Sequence, residues 1–396
     1  MIIKPRIRGI ICTTAHPAGC AAHVGQQIDH VKSAGPIDAG VGNALILGCS
    51  GGYGLASRIV AAYGCGAKTL GVSFERPPAD KRTATAGWYN NIAFEEASNT
   101  AGLTAQTLDG DAFSDQMKAD VIRTLKADTG KIDLLVYSLA SPVRADPKTG
   151  VVHRSAIKPL KPLSIKTINV DRGEVSQVDL EPASAEEVAA TVAVMGGEDW
   201  QMWIDELKKA DLLAPGFRTI AYTYLGSELT WPIYWGGTLG KAKEDLDRAA
   251  REIGDQLSDL AGSARVVSLK AVVSQASSAI PVVPLYISLL FSVMKKAGLH
   301  EDIISHIYRL FATQLAQGAQ LRLDDADRIR MDDVELSDAI QSEVKRRWPL
   351  VNTENIAELG DLAGYHEDFL KIFGFGLKGV DYEAEQDPTL GRAIAD

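Results

Sequence analysis

Two tyrosines and two lysines crowd one glycine-broken stretch, Tyr224-Leu-Gly-Ser-Glu-Leu-Thr-Trp-Pro-Ile-Tyr234-Trp-Gly-Gly-Thr-Leu-Gly-Lys241-Ala-Lys243. A phenol donates a hydrogen bond or a proton to a developing oxyanion, and a nearby ammonium lowers the cost of leaving a phenolate behind. On a continuous helix at ~3.6 residues per turn, Lys241 would stand about −20° from Tyr234 and Lys243 about 180° from it, so periodicity alone favours Lys241. Gly236, Gly237 and Gly240 argue against that helix, because each glycine costs about 1 kcal/mol relative to alanine. Tyr234 is therefore expected ahead of a helix that Thr238 could cap, and helical geometry leaves both lysines open.

Such a site needs a scaffold, and the first half of the chain supplies the pattern of one. Asn43-Ala-Leu-Ile-Leu47 reads as a strand, Gly48-Cys49-Ser50-Gly51-Gly52-Tyr53-Gly54 as a glycine turn, and Leu55, Ile59 and Val60 as the apolar face of a helix. Glycines suit a tight turn where the backbone approaches a pyrophosphate and the helix N-terminus offers N–H donors. The next apolar run, Thr69 to Phe74, ends at Glu75, where a carboxylate would accept hydrogen bonds from adenosine ribose hydroxyls and repel a 2′-phosphate. That favours NADH over NADPH, with the adjacent Arg76 as the residue that would act the other way. Strand patterns recur at Leu103 to Leu108 and Ile132 to Ser138, with an amphipathic helix pattern at Ser114 to Leu125 between them. This alternation implies a parallel sheet that binds ligands at its carboxyl edge. Asp111 falls where adenine could sit, and Leu139 and Ala140 where the chain could pass under the cofactor.

From Pro142 the alternation breaks. Lys166 to Val178 reads as a hairpin bent at Gly173, Ser184 to Glu187 as a capping box, and Trp200 to Leu213 as an amphipathic helix. Strands at Arg218 to Tyr222 and Ala264 to Leu269, with a helix from Thr238 to about Leu260 between them, resume the sheet and place the tyrosines at a strand's carboxyl end. Helix patterns return at Glu301 to Gln317 and Val334 to Trp348. The expected fold is an α/β, Rossmann-type doubly wound parallel sheet with a β-hairpin insertion and a helical C-terminal extension. Lacking Gly/Ser or Pro-rich linkers, residues 1–396 are expected to form one enlarged domain: a nucleotide-binding core (about 41–141 and 216–280), an insertion (about 142–215) and the extension (about 281–396).

Composition narrows the partners. A net charge of −10 argues against nucleic acid and anionic membranes, and 46% hydrophobic with 23% charged residues is ordinary for a soluble globular chain. Cys12, Cys20, Cys49 and Cys65 form no CxxC pair, which suits reduced thiols in the cytoplasm. No metal is expected: His16 near Cys20 gives too few ligands and reads as a packed histidine. The apolar stretch Ala279 to Met294 contains Pro281 and Pro284 and is shorter than the ~20 residues that span a bilayer. It reads as a buried core segment or the wall of an acyl channel, without membrane insertion.

Several motifs together resemble one family, the trans-2-enoyl-CoA and enoyl-acyl-carrier-protein reductases of FabV type. They are Ile3-Lys-Pro-Arg-Ile-Arg-Gly9, Cys12-Thr-Thr-Ala-His16-Pro17, Gly52-Tyr-Gly-Leu-Ala-Ser-Arg58, Ala86-Gly-Trp-Tyr-Asn90, Tyr137-Ser-Leu-Ala-Ser-Pro142 and Leu362-Ala-Gly-Tyr365, spread nearly end to end. The resemblance implies NADH-dependent reduction of the C2–C3 double bond of trans-2-enoyl thioesters, carried on CoA or acyl carrier protein, in fatty acid synthesis, by a cytoplasmic monomer. The family's Tyr-x8-Lys pattern falls on Tyr234 and Lys243 as the catalytic pair, and its substrate tyrosine on Tyr224. Its cofactor contacts fall on Gly48, Cys49, Ser50, Gly51, Gly52, Tyr53, Phe74, Glu75, Asp111, Ala112, Leu139, Ala140, Lys243, Val272, Val273 and Ser274. Two other readings compete: a carbonyl reductase acting on 3-ketoacyl thioesters, and an NADH-sensing protein without catalysis. Most short-chain dehydrogenases place the active tyrosine and lysine four residues apart on one helix; no tyrosine here has that lysine, which speaks against the first. Retention of both Tyr234 and Lys243 speaks against the second.

Overall fold

Ala44 and Ile46 of strand β1 (Asn43–Leu47) enter one apolar cluster, while Leu45 and Leu47 enter another on the opposite face. Burial on both faces is what a parallel strand covered by helices on each side requires. A computed structural model describes residues 1–9, 11–79, 82–139 and 141–389. Among these residues β1 belongs to a seven-stranded sheet completed by β2 (Lys68–Ser73), β3 (Ala105–Asp109), β4 (Ile132–Tyr137), β5 (Leu213–Thr223), β6 (Ser263–Ser268) and β7 (Ile329–Arg330). Every pairing is parallel, in the order β3-β2-β1-β4-β5-β6-β7. The order reverses between β1 and β4, and that switch opens the crevice in which a doubly wound sheet takes its ligand.

The helices divide between the two faces. Pro17–Ala34, Gly52–Ile59 and Ile303–Leu310 contribute Val24, Ile28, Leu55, Ile59 and Ile307 to one cluster. Asp115–Thr124, Glu198–Lys209 and Thr238–Gln256 contribute Val121, Trp200, Trp203, Leu246 and Ile253 to the other. The helix expected through Leu213 stops at Lys209, because Asp211 takes a left-handed φ of 58° while its N–H bonds Lys208 and that of Leu212 bonds Leu207. Leu213 instead opens β5, five residues ahead of the strand expected from Arg218. The register of β5 against β4 slips between Leu213 and Arg218, where Pro215 lacks an N–H and Gly216 has a φ of 74°.

A third apolar cluster lies at the carboxyl end of the sheet. Helix Val283–Lys296 buries every residue from Val283 to Met294, so this stretch forms a core helix. Around it pack Ile165 and Ile168 of the hairpin Leu163–Asn169/Glu174–Leu180, together with Ile233, Tyr234 and Leu239. Gly173 turns that hairpin with a φ of 67°. Lys166 fastens it to the extension by donating to the carbonyls of Trp348 (2.9 Å) and Val351 (3.0 Å) beyond helix Asp338–Arg347. The capping box at Ser184 and Glu187 opens helix Ala185–Met195 as its spacing implies.

Candidate active site

The glycines after β1 do two different jobs. A Cβ on Gly54 would strike the Gly48 carbonyl oxygen, and one on Gly48, whose φ is 83°, would strike that of Ser138 at the end of β4. These two close the turn against the sheet. Gly51 and Gly52 have open space where a Cβ would stand, directly above the first turn of helix Gly52–Ile59. The unfilled space beside those backbone N–H groups fits a pyrophosphate.

At the end of β2, Ser50 Oγ donates to Glu75 Oε1 (2.5 Å) and Thr85 Oγ1 to Glu75 Oε2, so the carboxyl is held at the mouth of the cradle. Burial raises the Glu75 pKa, and those two hydroxyls offset part of the rise. Phe74 beside it is 78% exposed, an apolar ring left uncovered at the sheet edge. Asp111 accepts from the N–H of Phe113 (2.9 Å), which folds the turn after β3. Ala112 is fixed from the protein side: Trp203 Nε1 (3.1 Å) and Lys118 Nζ (3.3 Å) donate to its carbonyl. Lys118 also pairs with Asp199 (2.8 Å), whose other oxygen accepts from Tyr137. Lys118, Asp199 and Trp203 position this turn, and nothing in their spacing foretold it.

Leu139 follows β4 half-buried against the Gly48 turn; Ala140 lies outside the described residues. Val272 and Val273 are buried beyond β6, and Ser274 caps a one-turn helix by accepting from Ser277 N (3.1 Å). Cys49 is buried, and its thiol reaches Asn91 Oδ1 (3.7 Å). Tyr53 turns its hydroxyl away from the cradle to the Lys270 carbonyl (2.7 Å). His16, as read, is a packed residue: its Nδ1 accepts from Gly19 N (3.1 Å) to cap helix Pro17–Ala34, and its ring meets Tyr382 edge-on.

Tyr224 leaves the carboxyl end of β5, and Tyr234 precedes helix Thr238–Gln256. Their rings meet edge to face, with centroids 5.1 Å apart at 87°. The Tyr234 carbonyl accepts from Gly237 N (3.2 Å) and Gly240 N (3.0 Å), which folds the tyrosine back over the helix start. A Cβ on Gly240 would collide with the Trp235 carbonyl, and one on Gly237 with that of Ile233. The glycines that rule out a continuous helix are thus the ones that let the chain double back. Gly237 occupies the N-cap position; Thr238 instead bonds the insertion, donating to Ala156 O and accepting from Lys158 N (3.3 Å).

The two lysines separate cleanly. Lys241 has a side chain 42% exposed and pairs with Glu244 (2.8 Å) on the solvent side. Lys243 is half-buried, with Asp247 as the charge acting on it, and burial pushes its pKa down to about 8. Burial raises the pKa of Tyr234, opposed by a backbone hydrogen bond from Tyr224. The dominant influence on Tyr234 is thus desolvation, so the phenol keeps its proton at neutral pH. One residue behind the pair escaped the sequence entirely. Glu335 lies in the stretch whose pattern reads as a helix from Val334, but that helix begins only at Asp338; Glu335 follows β7, is 1% exposed, lies within hydrogen-bond distance of the hydroxyls of Tyr224 (3.1 Å) and Tyr286 (2.8 Å) and accepts from Ala271 N (2.6 Å). Because β7 lies parallel to β6, the residues after it emerge on the same sheet edge as Tyr224.

Comparison with known proteins agrees along the whole chain. Residues 82–316 match the trans-2-enoyl-CoA reductase catalytic region, residues 2–80 the NAD(P)H binding domain of trans-2-enoyl-CoA reductase, and residues 323–385 the enoyl reductase FAD binding domain. The chain is 52% identical to an enoyl-[acyl-carrier-protein] reductase [NADH] of Opitutus terrae, over 98% of this chain and 99% of the relative. It is also 52% identical to the enoyl-[acyl-carrier-protein] reductase [NADH] FabV of Aeromonas salmonicida, over 98% of each. Its structure superimposes on Clostridium acetobutulicum trans-2-enoyl-CoA reductase in complex with NADH with a TM-score of 0.96, 43% identity and complete coverage of both chains. For Treponema denticola trans-2-enoyl-CoA reductase in complex with NAD the values are 0.93, 48% and 98% of each chain. The NADH cradle described above fits these cofactors. The C-terminal stretch lacks the glycine cradle a flavin dinucleotide would need: the turn from β7 to helix Asp338–Arg347 contains no glycine, and Gly360, Gly364 and Gly374 abut Ser288, Asp361 and Cys20.

Proposed function

The chain belongs to the trans-2-enoyl-CoA reductase family, and we propose that Tyr234, Tyr224 and Lys243 carry its NADH-dependent reduction of trans-2-enoyl thioesters. Gly48 to Tyr53, Glu75 and Lys243 would hold the cofactor, with Phe74, Asp111, Ala112 and Val272 to Ser274 along its length. NADH, when bound, supplies the hydride that adds to C3 of the enoyl thioester. The addition drives negative charge onto the thioester oxygen, and donors already aimed at that oxygen are usually the largest catalytic contribution. Tyr234 donates to the enolate oxygen, and its raised pKa suits it to hold a hydrogen bond there without ionising. Tyr224, set edge-on against it, supplies a second donor to the same carbonyl. Lys243 offers an ammonium to the nicotinamide ribose from a half-buried position. Protonation at C2 then completes the saturated acyl thioester.

The observation that carries this reading is the buried Tyr234 set edge to face against Tyr224 at the carboxyl edge of a sheet whose glycine cradle opens on the same edge. Glu75 favours NADH, because a 2′-phosphate would meet its carboxyl. The relatives named enoyl-[acyl-carrier-protein] reductase support a carrier-bound substrate; a cytoplasmic monomer acting in fatty acid synthesis completes this reading. Among the described residues no helix is long and apolar enough to cross a membrane. The test follows NADH absorbance with crotonyl-CoA and then with a 3-ketoacyl thioester. Loss with the enoyl substrate alone is expected, and loss with the ketoacyl substrate would make the protein a carbonyl reductase. Rates on enoyl-CoA and enoyl-acyl carrier protein of equal chain length then identify the carrier.

A further inference from the structure

Each contact of the buried Glu335 carboxyl accounts for a hydrogen. Ala271 N–H donates to Oε2 (2.6 Å), while the hydroxyls of Tyr286 (2.8 Å) and Tyr224 (3.1 Å) both lie against Oε1. Gln341 Nε2 donates to the Tyr286 oxygen (2.9 Å), so the Tyr286 hydrogen is the one directed at Oε1. A phenol has a single hydrogen. When Tyr224 gives its hydrogen to an ionised Glu335, it can offer a substrate only lone pairs, and a thioester carbonyl is itself an acceptor. Tyr224 can hold that carbonyl and keep its bond to Oε1 only when Oε1 carries a hydrogen aimed at the Tyr224 oxygen.

We propose that Glu335 is a positioning residue that works as a neutral carboxylic acid, donating to the Tyr224 oxygen so that the Tyr224 hydroxyl is free to donate to the substrate carbonyl. The proposal rests on the reading of Tyr224 as a substrate contact. The titratable groups facing Glu335 are Tyr53, Tyr224, Lys270, Tyr286 and Asp332. Lys270, the one cation among them, gives its ammonium to the Glu301 carbonyl (2.8 Å) and lies over the Phe291 ring, 5.2 Å from its centre. Asp332 is bound by Ser268 (2.7 Å) and Arg330 (2.8 Å). Burial raises the Glu335 pKa, the Ala271 N–H, Tyr286 and Lys270 lower it in part, and Asp332 adds to the rise. As pH climbs through that raised value, Glu335 ionises, takes the Tyr224 hydrogen and removes a donor from the site.

Kinetics of the full chain with crotonyl-CoA and NADH, together with infrared spectra, test this. Glu335→Gln keeps a donor toward Tyr224 and a carbonyl for Ala271 N–H; Glu335→Leu keeps neither. Tyr224→Phe and Glu335→Leu should each lower kcat on the order of 10-fold, while Glu335→Gln stays within about threefold of wild type. Glu335→Leu should cost nothing further in the Tyr224→Phe background, and NADH affinity should hold throughout. A carboxylic-acid C=O band should be present at neutral pH and vanish in Glu335→Gln. Should Glu335→Leu fail to fold, the Glu335→Gln rate and the band decide the matter. A Glu335→Gln enzyme as slow as Tyr224→Phe, or no acid band, would overturn the role of Glu335 and leave Tyr224 standing. Full activity in Tyr224→Phe would overturn both.

Discussion

The nucleotide cradle and the tyrosine pocket share one sheet edge and are built in opposite ways. The cradle, Gly48 to Glu75, comes from consecutive pieces of one strand-turn-helix-strand unit and works through backbone groups and the space glycines leave. The pocket gathers Tyr224 and Tyr234 from the loop after β5, Ile165 and Ile168 from the hairpin, Tyr286 from helix Val283–Lys296 and Glu335 from beyond β7. It works through side chains. The cradle should therefore break when atoms are added, and the pocket when atoms are removed.

Adding one methyl group to the cradle gives the largest expected effect. Gly54→Ala sets a Cβ against the Gly48 carbonyl oxygen, backbone against backbone, and should cost more than about 3 kcal/mol in chemical denaturation and abolish NADH binding. Gly51→Ala, where the Cβ meets open space, should keep the denaturation midpoint and weaken NADH alone. Equal midpoints for the two variants would erase the division of labour among these glycines.

Removing a charge from between the two regions ranks next. Lys243→Met should lower kcat/KM by about 100-fold, because a cation placed for the cofactor is gone. With its pKa pushed down to about 8, Lys243 is an ammonium below that pH, so the wild-type kcat/KM should fall as pH rises through about 8. The Lys243→Met profile should lack that limb, and a limb unchanged by the substitution would assign it elsewhere. Stability carries the same sign information. Between about 8 and the ordinary lysine value of 10.5 the unfolded chain binds more protons at this site than the folded one, so wild-type stability should rise with pH across that window and Lys243→Met should lack the rise.

The smallest effect belongs to Lys241. Its exposed pair with Glu244 is worth at most about 1 kcal/mol, so Lys241→Ala should fold and turn over much as wild type does. A Lys241→Ala enzyme as inactive as Lys243→Met would reopen the choice between the lysines.

The same contrast explains what the sequence disclosed. The cradle was legible because strand, glycines, helix and Glu75 lie within about 35 residues and their spacing is fixed by local geometry. The helix break at Gly236, Gly237 and Gly240 was legible for a like reason, since glycine cost is local. Periodicity nevertheless pointed to Lys241, because it counts turns of a helix that the doubled-back chain does not form. Thr238 read as a cap because side-chain type is visible in sequence, whereas its partner Ala156 lies some eighty residues away in the insertion. Glu335 was invisible: its burial depends on a two-residue strand, β7, pairing with β6, and the helix pattern read from Val334 says nothing of that pairing. The Lys118, Asp199 and Trp203 lock on Ala112 was hidden for the same reason, joining residues from two helices on one face of the sheet.

Tyr234 is placed to hold the charge that develops on the thioester oxygen. Rapid mixing of Tyr234→Phe with NADH and crotonyl-CoA tests it most directly, with NADH affinity measured separately by fluorescence. NADH should bind as tightly as to wild type, and the hydride-transfer rate should fall by about 100- to 1000-fold. Wild-type turnover in Tyr234→Phe with unaltered NADH affinity would contradict it.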